Sequence, residues 1–306
     1  MARPSRPDQY ANALLPRAVI HQDAMIDSSP SRTSLAVAWL RAAHQIVDAR
    51  PPILDDPIAG RLLDPRAIER IHSHPEALQT PGARALRAHV LIRSRYAEDR
   101  LHEAVARGVR QLVVLGAGLD TFAFRQPPWA TWLRIFEVDW PATQEDKKGR
   151  LARAGVTVPD NAVFVPIDFE RTPVADALRA HGFDASAPAF VSWLGVMMYL
   201  TRDAIDAVFA FARGLARGSE IVLSFMPGPV PMAAPGDTPT LADRVAGMGE
   251  PLRTHVAPED LAAWLDRLGF SEVSLLTPGE IDSRYLAGRT DGLETFTLAT
   301  IASARV

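Results

Sequence analysis

The chain has 306 residues, room for one large domain or two small ones, and its 47% hydrophobic and 23% charged content is that of an ordinary globular protein. A formal net charge of -3 leaves no electrostatic footprint for nucleic acid or an anionic membrane, and the absence of cysteine excludes disulfides, thiolate zinc sites and a cysteine nucleophile. The longest uncharged stretch, 185–201, falls short of the ~20 residues that cross a bilayer and is broken by Pro188 and Gly195, so a cytoplasmic protein is expected.

Residues 1–30 are polar and punctuated by proline. Ser31 or Ser34 is placed to cap the helical pattern "LAVAWLRAAHQIVDA", which "RPPILDDPIAG" then breaks. A second helix is predicted over 83–107. From there β-rich apolar segments at 111–116, 133–138, 162–166, 189–194, 219–225, 271–276 and 294–301 alternate with helical patterns at 141–154, 173–181, 201–216 and 258–268. Such alternation predicts an α/β fold with a mostly parallel, seven-stranded sheet covered on both faces. The proline- and glycine-rich run "MPGPVPMAAPGDTPT" (226–240) leaves the end of a strand and reads either as a surface loop or as part of a lid.

The first strand ends in "LGAGLDTFAF", where Gly116 and Gly118 allow a tight turn and a close backbone approach to a ligand. A dinucleotide fingerprint would place a third glycine where Thr121 stands. The next strand ends in Asp139, 21 residues beyond Gly118, which is the spacing of a ribose-binding carboxylate. Asp139 also precedes Trp140-Pro141, so a helix-capping role stays open. A third strand ends in Asp168-Phe169, where the acid can accept from an adenine amine and the ring can pack on the purine; a plain loop acid is the alternative. Asp120 puts a negative charge where a phosphate would approach, which favours a nucleoside without phosphates, such as S-adenosyl-L-methionine, over a dinucleotide.

In "ALRAHVLIRSRYAEDRLHEAV", Leu86, Val90, Ala97, Leu101 and Val105 form an apolar helical stripe on which Arg93 also falls, while Arg87, Arg95 and Arg100 lie elsewhere and read as solvated. A buried guanidinium needs an anion: either the carboxylate of S-adenosyl-L-methionine or an internal Asp or Glu.

"VVLGAGLDTFAFR", "FEVDWPATQEDKKGRL", "VPIDFE", "FVSWLGVMMYLTRDAI" and "GEPLRTHVAPEDLAAWLDRLGF" occur in an order that resembles the leucine carboxyl methyltransferase family, most of all its bacterial S-adenosyl-L-methionine-dependent O-methyltransferases, many of them linked to natural-product and polyketide tailoring. The likeness covers most of the chain from about residue 31. It implies a class I methyltransferase (Rossmann-like) sheet with a final antiparallel strand, an N-terminal helical region forming part of a lid over 1–82, and a cofactor-binding domain over 83–306 with a lid insertion around 226–257. It also implies that Arg93 holds the cofactor carboxylate, Gly116 and Gly118 form its turn, Asp139 holds the ribose, and Asp168 with Phe169 holds the adenine. Arg32 is the nearest candidate for a basic cofactor contact seen in some members. Phosphatase-methylating members carry an acid in the fourth-strand segment; "FVSWLGVMMY" has none, leaving Leu194 and Gly195 to offer backbone carbonyls, and a small-molecule acceptor is expected instead.

A carboxylate acceptor needs no base, whereas a hydroxyl does. Tyr199 and His255 are the candidates to orient the acceptor or serve as base, and Met197, Met198 and Met226 are candidates for an adaptable apolar pocket. His72 and His74 would diverge on a helix, so no metal is expected. The rival readings are an NAD-dependent oxidoreductase and a catalytically silent S-adenosyl-L-methionine-binding protein. The expected reaction leaves S-adenosyl-L-homocysteine; a homodimer stays open.

Overall fold

A computed structural model describes residues 30–230, 232–233 and 239–306; residues 1–29 and most of 231–238 lie outside it, including much of the sequence-predicted loop or lid. Three helices precede the sheet: α1 (Arg32–Val47), α2 (Pro65–Ser73) and α3 (Pro81–Ala106). Ser31 rather than Ser34 caps α1, its hydroxyl accepting from the Ser34 amide, and Pro81 and Thr80 start α3 in the same way.

Seven strands follow: β1 (Gln111–Leu115), β2 (Arg134–Asp139), β3 (Ala162–Pro166), β4 (Ala189–Trp193), β5 (Glu220–Phe225), β6 (Ser271–Leu275) and β7 (Thr300–Arg305). They form one sheet in the order β3-β2-β1-β4-β5-β7-β6, parallel except for β7, which runs antiparallel to both neighbours. The fully buried texture of β1, β4 and β5 follows from cover on both faces. One face packs under α5 (Val174–Ala180), α6 (Arg202–Arg213) and α8 (Pro258–Arg267), where Phe209 stands edge-on to Trp193 and Trp264. The other packs against α3 through Leu91, Ile92 and Leu101.

The last strand corrects the sequence expectation. Residues 294–299 carry an alternating apolar pattern, but Phe296 is buried against α1 and α3, with Leu298 packed against the same cluster, and pairing begins only at Thr300. Arg87 is a second correction: it is fully buried, not solvated, because the Asp48 carboxylate receives both its Nε and Nη2 at 2.7 Å. No helix among the described residues is long and apolar enough to cross a membrane.

The sheet order places β1 beside β4, the point where the strand sequence reverses, and ligands in open α/β sheets bind at the carboxyl ends of the strands there. The turns after β1, β2, β3, β4 and β5 all open toward one cavity at that edge.

Candidate functional site

The cavity has a volume of about 930 Å³, within the range of small-molecule sites, and Gly116, Gly118, Asp139, Asp168, Phe169, Arg93, Tyr199 and Arg32 all line it. The two glycines are demanded by geometry. Gly116 and Gly118 have φ of 67° and 45°, and a Cβ would lie 2.2 Å from Val196 Cγ2 and 2.9 Å from Ser34 Cβ, respectively. The Asp139 carboxylate braces this turn, accepting from the Gly118 amide at 2.5 Å and the Trp140 amide at 2.6 Å. Burial pushes its carboxyl up, and those two amides oppose the shift. The capping alternative is not what the structure shows, since α4 (Pro141–Arg153) starts with no side-chain cap bond.

Asp168 accepts from the Glu170 amide at 2.9 Å and keeps its remaining capacity toward the cavity, with Arg171 3.5 Å away. Phe169 packs at the margin of the larger core cluster.

Arg93 is the unusual member. It lies along α3 against the turn after β4, where a Cβ on Gly195 would meet its Nη1 at 2.5 Å; Gly195, at φ 75°, is the only residue that leaves it room. Its Nε is buried without a hydrogen-bond partner, and no ion pair reaches it among the described residues. Burial lowers its pKa to about 10, with Tyr199 and Asp120 pulling the other way. The second sequence alternative, an internal salt bridge, is absent among the described residues.

Thr121, in the place of a third glycine, is fully buried, and its hydroxyl accepts from Arg41 Nη2 at 2.7 Å and Arg125 Nε at 2.9 Å. Arg41 also pairs with Asp56 at 2.6 Å, and Arg125 with Glu98. Burial alone would raise the Asp56 carboxyl; the two guanidiniums outweigh it and hold it below the usual range. Thr121 thus fastens the glycine turn to a buried ionic network, a role that no local sequence signal marks. Thr121→Gly, which restores the dinucleotide spacing, is expected to lower stability by about 1–3 kcal/mol in denaturant titrations and to confer no NAD binding in calorimetry. A gain of NAD affinity would show that the missing glycine alone had excluded the dinucleotide.

Two cavity residues escaped the sequence reading. Glu250 clasps the start of α1, its carboxylate accepting from the Arg32 amide at 2.7 Å, the Thr33 amide at 3.2 Å and the Thr33 hydroxyl at 2.5 Å. Tyr199 lines the same cavity, and its phenol is pushed up to about 12 by burial and then by Glu250. Nothing in "MGEPL" foretells the Glu250 contact across more than two hundred residues. His89, one helical turn before Arg93, lines the cavity too, and its i, i+4 spacing to Arg93 was the available signal.

His255 is not brought to the site: it is exposed and does not line the cavity. The Val256 amide donates to the Met226 carbonyl at 2.9 Å and turns the Val256 side chain inward, so its neighbour faces out. Met198 and Met226 line the cavity, whereas Met197 is buried in the core beneath α6. No group of three or more metal-binding side chains occurs among the described residues.

Comparison with known proteins identifies the family of the chain. A family model described as "Leucine carboxyl methyltransferase" matches residues 34–213. YktD of Bacillus subtilis, provisionally named an S-adenosyl-L-methionine-dependent methyltransferase, is 32% identical over 296 residues, covering 89% of this chain and 96% of its own. A like-named Frankia alni protein is 31% identical over 250 residues, covering 78% and 81%. Among solved structures, a DUF574 family protein from Streptomyces avermitilis matches with a TM-score of 0.50 at 18% identity, over 92% of this chain and 99% of its own, a likeness of fold alone.

Proposed function

The chain belongs to the leucine carboxyl methyltransferase family and is an S-adenosyl-L-methionine-dependent methyltransferase; from that premise we propose that it methylates an oxygen, carboxylate or hydroxyl, of a small molecule of natural-product or polyketide type. The observation that carries the assignment of the site is Arg93, a half-buried cation whose Nε is buried without a partner and which no anion pairs among the described residues, facing the cavity beside the glycine turn. A free amino-acid carboxylate is the partner such a group lacks.

The residues present fit the cofactor. Arg93 would take its carboxylate, the turn at Gly116 and Gly118 would let its chain pass close, Asp139 would accept from the ribose, and Asp168 with Phe169 would hold the adenine. Arg32 would add a basic contact from the start of α1. The bound cofactor supplies an activated methyl group on a sulfonium. The protein's part is positioning and the exclusion of water. Tyr199, a protonated phenol at neutral pH, would orient the acceptor by donating a hydrogen bond. The N-terminal region 1–82, described from residue 30, and the segment 226–257 would act as a lid, joined where Glu250 grips α1.

A small acceptor is supported by the cavity's continuation past these polar groups to an apolar wall that includes Val37, Leu86, Val90, Leu241 and Phe296. Incubation of the protein with isotopically labelled donor and a set of organic acids and phenols, read by mass spectrometry, is expected to add one methyl to a carboxyl or hydroxyl oxygen. Calorimetry is expected to show binding of S-adenosyl-L-homocysteine and not of NAD. Methyl transfer to nitrogen, carbon or a protein chain, with the oxygen acceptors untouched, would overturn the proposal.

A further inference from the structure

His89 is 7% exposed and sits on the apolar wall of the cavity, its ring 5.3 Å from that of Phe296. Its Nε2 is buried with no hydrogen-bond partner, and no described residue bonds the ring elsewhere. Buried polar groups in native proteins are paired, so an orphan on a ligand cavity marks a contact that the ligand supplies. The surrounding wall belongs to a separate apolar cluster built by α1, α3 and Phe296, distinct from the clusters under the strands.

From this geometry we infer that the apolar end of the cavity is the acceptor subsite, that it takes an uncharged apolar molecule bearing a hydroxyl, and that His89 is the specificity-determining residue that hydrogen-bonds that hydroxyl. The inference rests on the methyl-transfer reading above and narrows its acceptor from an oxygen to a hydroxyl.

Charge decides between the two. Burial, and then the neighbouring Arg93 cation, lower the His89 pKa to about 3, so the imidazole is neutral at ordinary pH. A neutral imidazole offers one donor and one acceptor, which matches a hydroxyl and does not compensate a carboxylate. The other cations of the cavity are engaged elsewhere. Arg93 and Arg32 are reserved for the cofactor in the reading above, and Arg41 is paired with Asp56 and Thr121. A carboxylate near Tyr199 would also meet the field of Glu250, which already raises the phenol. Desolvating an acid against Leu86, Val90 and Phe296 with no cation beside it is strongly unfavourable.

Matched probes test this: 2-naphthol against 2-naphthoate and 1-decanol against decanoate, measured by equilibrium dialysis on the full chain saturated with S-adenosyl-L-homocysteine. In at least one pair the alcohol is expected to bind at least about tenfold more tightly than its acid. His89→Phe keeps the ring contact with Phe296 and is expected to lose at least about tenfold of that alcohol binding, with S-adenosyl-L-homocysteine affinity unchanged within about twofold. His89→Gln, which keeps a donor and an acceptor, is expected to recover part of it; should His89→Phe not fold, His89→Leu carries the same comparison. An acid bound as tightly as its alcohol, no probe bound at all, or alcohol binding indifferent to His89→Phe overturns the inference. If the wild-type chain fails to bind S-adenosyl-L-homocysteine, the methyl-transfer reading itself falls, a separate outcome from any of these.

Discussion

Arg93→Met is expected to abolish most cofactor affinity while leaving the unliganded protein as stable as before, or more so. The two effects have opposite signs because the guanidinium has no internal partner. In the free protein it is a half-buried cation whose buried Nε bonds nothing and whose pKa desolvation has lowered to about 10. Methionine fills similar space without that desolvation penalty. In the complex the same cation would meet a carboxylate in a bidentate pair, and truncating one member of a buried charge pair costs about 2–5 kcal/mol, roughly 30-fold to a few thousand-fold in affinity. Calorimetry with S-adenosyl-L-homocysteine measures the first effect, and thermal melts without ligand measure the second. A lower melting temperature with unchanged affinity would mean that Arg93 serves the fold and not the cofactor.

The second large effect is on stability. Asp48 lies just beyond the end of α1 with its carboxylate fully buried, and Arg87 of α3 grips both of its oxygens. His44 completes the cluster: its Nε2 accepts from the Ile53 amide at 2.9 Å, which leaves the proton on Nδ1 to donate to Asp48 at 2.8 Å. Asp48→Ala strands the Arg87 cation in the interior and is expected to cost about 3–5 kcal/mol, a fall in melting temperature on the order of 10 °C. Burial alone would raise the Asp48 carboxyl, but the bonds from His44 and Arg87 prevail and hold it below its ordinary 3.8. The unfolded chain therefore takes up this proton first as pH falls. The pair's contribution is fully present above about pH 4 and is lost as pH drops through the lower folded value. Wild type should show this as a steep acid limb in stability against pH, and Asp48→Ala should flatten it. A variant as stable as wild type at pH 7 would show that α1 and α3 are held by apolar packing alone.

These two arginines, six residues apart on one helix, separate what was legible in the sequence from what was not. Strand and helix periods, glycines at turns and acids at strand ends are short-range properties. Accordingly β1 to β5 appear within a residue or so of their sequence-predicted bounds, and Gly116, Gly118, Asp139 and Asp168 converge on one cavity. The last strand was displaced because a period-two apolar pattern states only that alternate residues are buried, not what buries them; Phe296 found α1 and α3 instead of the sheet. His255 followed a plausible segment but turned outward because the backbone bond from Val256 fixed the alternation.

The sequence by itself determined the α/β frame, the family and the edge of the sheet where a ligand binds. It could not say which buried arginine was already neutralised. Arg87 looked solvated and is paired with an acid 39 residues away; Arg93 looked buried and has no acid within reach. Helical spacing places a side chain on a face, but the partner it meets there is brought from a distant part of the chain by packing. Only the tertiary structure therefore distinguishes a cation that stabilises the fold from one that waits for a ligand.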